Sequence, residues 1–262
     1  SFFSQGKFLN PLVARIPSWA YQKGFGGHFH NDNSIASIRD LPGVVIASPS
    51  RGDDAVKMLR TALALAAMEG RVVLFLEPIA LYQTRDLYKK GDDGWRCRFP
   101  LPGEATELGK ARIYECSAPD ITIVSWAYGL WRSLQASRQL ADQNKISAEV
   151  IDLRWLSPMD IEAVLEHGCR TGRILIVDEG RATGGVSEGI VTAIIETPEY
   201  RSCRPEIERY CAADSFIPLG PSADHVLPSV DGIVDRAIGL VGRNSLSGPP
   251  PRTRHQATTV DS

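Results

Sequence analysis

Short apolar runs recur along the chain, each stopped by Pro, Gly or a cluster of charges. Between them lie longer stretches with apolar positions every three or four residues. Leu12-Val-Ala-Arg-Ile16, Val44-Val-Ile-Ala47 and Val72-Val-Leu-Phe-Leu76 read as strands, and Ile35–Arg39 as a helical turn. From Gly52 to about Met68 the spacing predicts a helix. Asp53 and Asp54 fall in its first turn, where acidic side chains suit the unpaired N–H groups and the positive end of the dipole. Val56, Met58, Leu59, Ala62, Leu63, Leu65 and Ala66 run nearly all round this helix, which places it in the interior. Strand, helix, strand in this order predicts a parallel βαβ unit.

The pattern breaks over residues 83–107, where Asp86, Lys89, Lys90, Asp92 and Asp93 crowd around Gly91 and Gly94, and Pro100 and Pro102 follow. A second series begins after it. Strands are expected at Ile121–Trp126, Ala148–Leu153 and Arg173–Glu179, with an edge strand at Ile207–Cys211. Helices are expected at Gly129–Gln143, from Pro158 with that proline at the first position, at Val186–Glu196 and at Val230–Val241. The alternation predicts an α/β protein of two doubly wound units with mostly parallel sheets. The expected division is 1–84 for the first unit, 85–108 for a linker, 109–242 for the second unit and 243–262 for a disordered tail rich in Gly, Pro, Ser and Thr.

Chemistry is densest just before the second strand. Gly24, Gly26 and Gly27 precede His28, Phe29 and His30, and Asn31, Asp32, Asn33 and Ser34 follow. His28 and His30 at i and i+2 would leave an extended segment on one side. Three readings stand for the pair: histidines bonded to carbonyls in a turn, two ligands of a metal site, or a proton- or carboxylate-handling group in a cleft. Spacing alone does not choose among them, although His167, His225 and His255 are scattered and no cysteine pair stands at ligand spacing. Gly184-Gly185 before a helix reads either as a phosphate cradle or as close packing of helix on strand. Asp178 and Glu179 end a strand and are placed for a site, with an ion pair to Arg181 or Arg154 as the alternative. Arg15 reads as a surface or ion-paired residue, and Arg51-Gly52-Asp53 as a chance tripeptide at a helix start.

Composition narrows the classes. The 262 residues carry 43% hydrophobic and 23% charged side chains with a net charge of −2, ordinary for a globular protein. No basic stripe with interleaved aromatics occurs, so no nucleic-acid partner is expected. No apolar run approaches the roughly 20 residues that cross a bilayer, so no membrane is expected either. Five widely spaced cysteines, an odd number, favour reduced thiols in a cytosol-like compartment. Ser1 starts the sequence as though cut from a longer chain.

Several stretches, taken in order, resemble a known family. They are Gly109-Lys-Ala-Arg112, Asp120-Ile-Thr-Ile-Val124, Val150-Ile-Asp-Leu-Arg154 with Leu156-Ser-Pro-Met-Asp160, and Thr171-Gly-Arg-Ile174 through Val177-Asp-Glu179. They resemble the C-terminal domain of the β subunit of thiamine diphosphate-dependent 2-oxo acid dehydrogenases, in the transketolase superfamily. Gly26-Gly-His-Phe-His30, Leu41-Pro-Gly43, Ser48-Pro49 and Phe75-Leu-Glu-Pro78 resemble the later part of that subunit's pyrimidine-binding domain. The likeness runs from about residue 8 to 240.

The resemblance implies that His30 matches the family's active-site histidine, which faces the cofactor, helps bind the 2-oxo acid and handles protons. His28 and Phe29 would line the same cofactor-binding pocket. It implies decarboxylation of a branched-chain 2-oxo acid or pyruvate and acylation of a lipoyl group. The cofactor would be thiamine diphosphate, with Mg²⁺ held by a partner α subunit or α half. The other partners would be a second β copy and a lipoylated dihydrolipoyl acyltransferase core, in the cytoplasm or the mitochondrial matrix. After its histidine the family commonly has Ser-Gln-Ser, where this chain has Asn31-Asp-Asn33. The family glutamate that activates the cofactor ring lies upstream of the matched region, so the chain alone is expected to be inactive. A transketolase or deoxyxylulose-phosphate synthase, or a non-catalytic module docking to an acyltransferase core, are the alternatives.

Overall fold

The structure, a computed structural model, describes Gln5, residues 7–19 and residues 34–243. The expected tail from residue 244 onward lies outside the described residues. The described chain is mixed α/β with mostly parallel sheets.

The first sheet contains β1 (Leu12–Ser18), β2 (Val45–Ala47), β3 (Val72–Pro78) and β7 (Trp155–Ser157), in the order β1-β3-β2-β7. The first three are parallel, with Leu12 opposite Val72 and Val45 opposite Val73. Helix α1 (Ile35–Arg39) precedes β2, and α2 (Gly52–Glu69) crosses from β2 to β3. The last turn of α2 ends at Gly70, which has φ 66 and returns its N–H to Ala66 O, while Arg71 N reaches Leu65 O. That double closure needs a left-handed residue, which glycine adopts without a Cβ penalty.

The second sheet has the order β4-β6-β5-β8-β9. Its strands are β4 (Arg112–Tyr114), β5 (Ile121–Ser125), β6 (Ala148–Asp152), β8 (Arg173–Arg181) and β9 (Glu206–Ala212). Only β4 runs antiparallel, and β9 forms an edge as the pattern predicts. Helices α3 (Ala127–Gln139), α4 (Ile161–Thr171), α5 (Val186–Glu196), α6 (Tyr200–Cys203) and α7 (Val230–Arg243) complete the described unit. Leu130 and Leu134 of α3 pack with Ile233 and Ala237 of α7 on one face of this sheet. Between the two sheets a continuous core joins Trp19, Ile46, Leu76, Trp126, Ile151, Leu156, Val164 and Ile190.

Four expectations need correction. Helix α2 is not interior all round: Met58, Ala62 and Leu65 are buried, but Leu63 and Met68 are 54% and 83% exposed. Only one stripe of a helix crossing a single sheet face can touch that sheet. Pro158 does not open α4; it follows Ser157 in a cis bond, and Asp160 caps the helix by accepting from Ala163 N at 3.3 Å. The same carboxylate also accepts from Ala111 N at 2.9 Å. The thiols are not all reduced either. Cys169 at the end of α4 and Cys203 in α6 form a disulfide with Cα atoms 5.4 Å apart, leaving Cys97, Cys116 and Cys211 free. Their separation of 34 residues hides in sequence a proximity that helix packing creates.

The stretch 85–108 is more than a connection. Leu87 and Trp95 are buried in the second unit's core. The carboxylates of Asp86 and Asp92 accept backbone N–H groups of the same stretch. Arg60 of α2 donates to Leu101 O and Glu104 O. A buried aromatic and saturated carboxylates make the polar run a folded strap across α2.

Candidate active site

His28, Phe29 and His30, with Gly24, Gly26, Gly27 and Asn31 to Asn33, lie outside the described residues. The residues on either side of that segment are described, and Trp19 and Ile35 both belong to the core between the two sheets. Trp19 directly follows β1, is 1% exposed, and donates from Nε1 to Ser48 Oγ at 2.8 Å. Its ring lies 6.2 Å from that of Trp126, the residue after β5. Ile35, at the start of α1, packs into the same cluster with Ala127 and Val186. The carboxyl ends of β1 and β2 in one sheet therefore meet the carboxyl end of β5 in the other. In parallel sheets this is the end at which binding crevices form.

A polar lattice beneath this junction ties the two units together. Ser50 Oγ, between β2 and α2, donates to Asp152 Oδ1 of β6 at 2.9 Å. Arg154 Nη1 donates to Asp54 Oδ1 at 2.9 Å, and Arg112 Nη1 to Asp54 Oδ2 at 2.8 Å and Asp53 Oδ2 at 2.9 Å. Arg154 also donates to the carbonyls of Lys110 and Ala111. Two guanidinium groups of the second unit thus grip the first turn of α2. Burial works against the charge on Asp53, but Arg112 and Arg51 outweigh it and hold the carboxyl below its usual value. Burial first, then the neighbouring Asp54 charge, push Asp152 up to about 7 against the bonds from Ser50 and Arg154.

The remaining sequence candidates resolve individually. Asp178 is buried and accepts from Gly180 N at 2.7 Å and Ser187 N at 2.9 Å, with burial raising its pKa. Arg154, one of its expected partners, is engaged with Asp54 instead. Glu179 is buried beside it at 1% exposure. A Cβ on Gly185 would overlap Arg181 O at the end of β8, so close packing of helix on strand is the reading that holds there, while Gly184, with φ 69, packs against Ala36 of α1. Arg15 pairs with Glu77, which also accepts from Tyr82 OH at 2.5 Å. Arg51 lies 4.9 Å from the Trp95 ring and Asp53 is bound to Arg112, so the Arg-Gly-Asp tripeptide is engaged within the fold. Trp19, Ser50, Asp54 and Asp152 were not singled out in sequence as site residues. The signal for the last lay in Val150-Ile-Asp-Leu-Arg154, where an acid interrupts a buried strand.

Among the described residues no group of three or more His, Cys, Asp or Glu side chains can hold a metal ion. The described residues therefore offer no Mg²⁺ site, and no reaction step is assigned to them through that ion. Asp152 has a pKa suited to proton transfer, but at 0% exposure it reaches no substrate.

Residues 109–233 match the transketolase C-terminal domain family. The chain is thus an α/β protein carrying that domain behind a second, smaller sheet. Over 217 residues it is 31% identical to the mitochondrial 2-oxoisovalerate dehydrogenase subunit beta of Dictyostelium discoideum, covering 82% of this chain and 54% of that protein. It is 28% identical over 239 residues to the pyruvate dehydrogenase E1 component subunit beta of Bacillus subtilis (strain 168), covering 89% and 66%. With the corresponding subunit of Rhizobium meliloti (strain 1021) the identity is 32% over 195 residues, covering 74% and 38%. The chain spans about half to two thirds of the length of the first two relatives. A split-gene transketolase, solved as an inactive beta4 tetramer, superposes with a TM-score of 0.60 at 17% identity, over 88% of this chain and 64% of that one. That likeness is one of fold. Over most of its length the chain is similar to β subunits of 2-oxo acid dehydrogenases.

Among the described residues no helix is long and apolar enough to cross a membrane.

Proposed function

We propose that this chain is the β part of a thiamine diphosphate-dependent 2-oxo acid dehydrogenase, contributing half of an active site that an α subunit or α half completes. The observation that carries the reading is the match to β subunits of two such enzymes, over 82% and 89% of this chain. The meeting of strand carboxyl ends at Trp19 and Trp126, beside which the histidine segment leaves and rejoins the described chain, supports it. In this reading residues 1–84 are the later part of a pyrimidine-binding domain and 109–242 the transketolase C-terminal-like domain, joined by the folded strap of 85–108.

His30 binds the 2-oxo acid's carboxylate region and holds or moves a proton there, with His28 and Phe29 lining the pocket. An imidazole suits both tasks because it titrates near neutrality. The cofactor, when bound, supplies the electron sink for decarboxylation. With such a cofactor held by the completed site, the overall reaction would release carbon dioxide and pass the acyl group to a lipoyl sulfur of an acyltransferase core, the lipoyl disulfide serving as the two-electron oxidant. The partner holds Mg²⁺ and the diphosphate, and a second β copy completes the assembly. A cytoplasmic or mitochondrial-matrix setting follows from this role.

The test is reconstitution with an α subunit and a lipoylated acyl carrier. Pyruvate and branched-chain 2-oxo acids should be turned over by the complex and not by this chain alone. His30→Ala should reduce kcat by about 10²–10⁴-fold, the usual worth of a positioned acid–base group. Full turnover by the His30→Ala complex would refute the assignment, and a strong preference for sugar phosphates would move the chain to the transferases of the superfamily.

A further inference from the structure

Oxidised and reduced sulfur stand together in this chain. Cys97 and Cys116 are free and exposed, and Cys211 is free and half-buried, while Cys169 and Cys203 are joined. Exposed thiols persist where a surrounding thiol pool keeps them reduced. A disulfide open to that pool exchanges with it. Cys169 and Cys203 are each only half-buried, so neither is sealed in the core.

The bond also fastens a segment that little else holds. Residues 197–204 lead from the end of α5 to β9 and contain α6. At one end Thr197 N donates to Ile194 O at 3.1 Å. At the other, Pro205 is buried and Glu206 N donates to Gly172 O at 2.9 Å. Between these anchors α6 has no buried residue. Its backbone N–H groups bond within the segment: Tyr200 N donates to Thr197 O, Arg201 N to Pro198 O, Ser202 N to Glu199 O and Arg204 N to Tyr200 O. Tyr200 and Cys203 lean on the core between the sheets. A single helical turn does not sustain itself in water, so the covalent tie from Cys203 to Cys169 of α4 is the main hold.

We infer that Cys169–Cys203 is a reversible, thiol-operated latch. Oxidised, it closes residues 197–204 onto α4; reduced, it lets that segment lift while its two anchors and the sheet behind it stay in place. A thiolate of the pool attacks one sulfur of the pair, and the other sulfur leaves as a thiolate and takes up a proton. A second pool thiol then attacks the mixed disulfide. The pair gains two electrons and two protons, and two pool thiols become one disulfide. The inference stands on the placement of the bond and is independent of the function proposed above.

The test equilibrates the full chain in glutathione buffers running from the disulfide to the thiol. Thiols are located by alkylation and mass spectrometry, and the same samples receive a brief pulse of trypsin. Arg201 and Arg204 are exposed but held on a closed turn, so cleavage there reports local opening. Cys169 and Cys203 should become alkylatable together as the thiol share rises. Cleavage after Arg201 and Arg204 should quicken by about tenfold or more, with no rise elsewhere in the fold. Both changes should reverse on adding glutathione disulfide. The double variant Cys169→Ser with Cys203→Ser should cleave at the fast rate in every buffer. A bond that survives in fully reduced glutathione is a fixed staple, and the inference fails. Reduction without faster cleavage, cleavage that rises throughout the chain, or a pair that does not re-form would each overturn it as well. If the double variant does not fold, the wild-type titration alone decides.

Discussion

Replacing Asp152 by asparagine tests whether the lattice between the two units holds a neutral acid at physiological pH. Asp152 is fully buried on β6, accepts from Ser50 Oγ at 2.9 Å and from Arg154 N at 3.2 Å through Oδ1, and faces the charge of the nearly buried Asp54. Arg112 and Arg154 are spent on Asp54, so the positive charge nearby is already matched. With a folded pKa of about 7 and an unfolded value of about 3.9, the folded protein between those limits carries a proton that the unfolded chain has lost. Stability from this group is complete below the unfolded value and falls as pH rises through about 7. Three pKa units amount to about 4 kcal/mol, more than half of which falls between roughly pH 5 and 8. Asparagine has nothing to ionise, keeps an acceptor for Ser50 and Arg154, and offers its amide hydrogens where the carboxyl proton sat. Urea unfolding of wild type and Asp152→Asn at half-unit steps of pH should show the variant gaining on wild type by about 2–3 kcal/mol from acid to alkaline conditions. Two curves that stay parallel across that range would show Asp152 in one protonation state throughout and would refute the reasoning.

Two further changes probe the same frame. Arg154→Ala removes one of the two cations on Asp54 and three donors to the Lys110 and Ala111 carbonyls. It should cost about 3–5 kcal/mol by denaturant melt, as breaking a buried pair does, and a loss below about 1 kcal/mol would contradict the lattice. Thiol titration of unfolded, unreduced protein should count three thiols, from Cys97, Cys116 and Cys211, and five after reduction. Five without reductant would exclude the Cys169–Cys203 bond. Closing that 34-residue separation is worth about 4 kcal/mol in the chain-entropy account, so Cys203→Ser should lower stability by about that amount.

Much of the architecture was legible because it is local. The buried runs at Val72 and Ile121 are continuous and β-branched, and helices α2, α5 and α7 carry a full period of apolar positions, so each appears in the sequence where it stands in the fold. The edge position of β9 was legible from its alternating Glu206, Glu208 and Arg209. Strands β4 and β7, three residues each, were not, because three residues hold no period. Their existence depends on partners 36 and 108 residues or more away, Val150 for Tyr114 on one side and Ala47 for Trp155 on the other, and no local rule supplies those. The lattice was hidden for the same reason: Asp54 looked like a helix-start acid, which it is, and only the fold adds Arg112 and Arg154. The histidine segment was prominent in sequence through its chemistry, and its flanks, Trp19 and Ile35, show how the fold holds its ends.

Strand β7 belongs by sequence to the second unit and by hydrogen bonding to the first, where Ile46 faces Ser157 and Ala47 faces Trp155. Trp155 is wholly buried against Val45, Met58 and Phe75. Seventy-seven residues separate the end of β3 at Pro78 from Trp155. At typical synthesis speeds the ribosome needs roughly 4–15 s to make them. Through that interval the nascent first sheet presents β2 as an open, apolar border, the kind of edge on which chains stick to one another. A gene cut at the strap would leave that border open for good, so the two units are separable on paper but not in the order in which the chain is made.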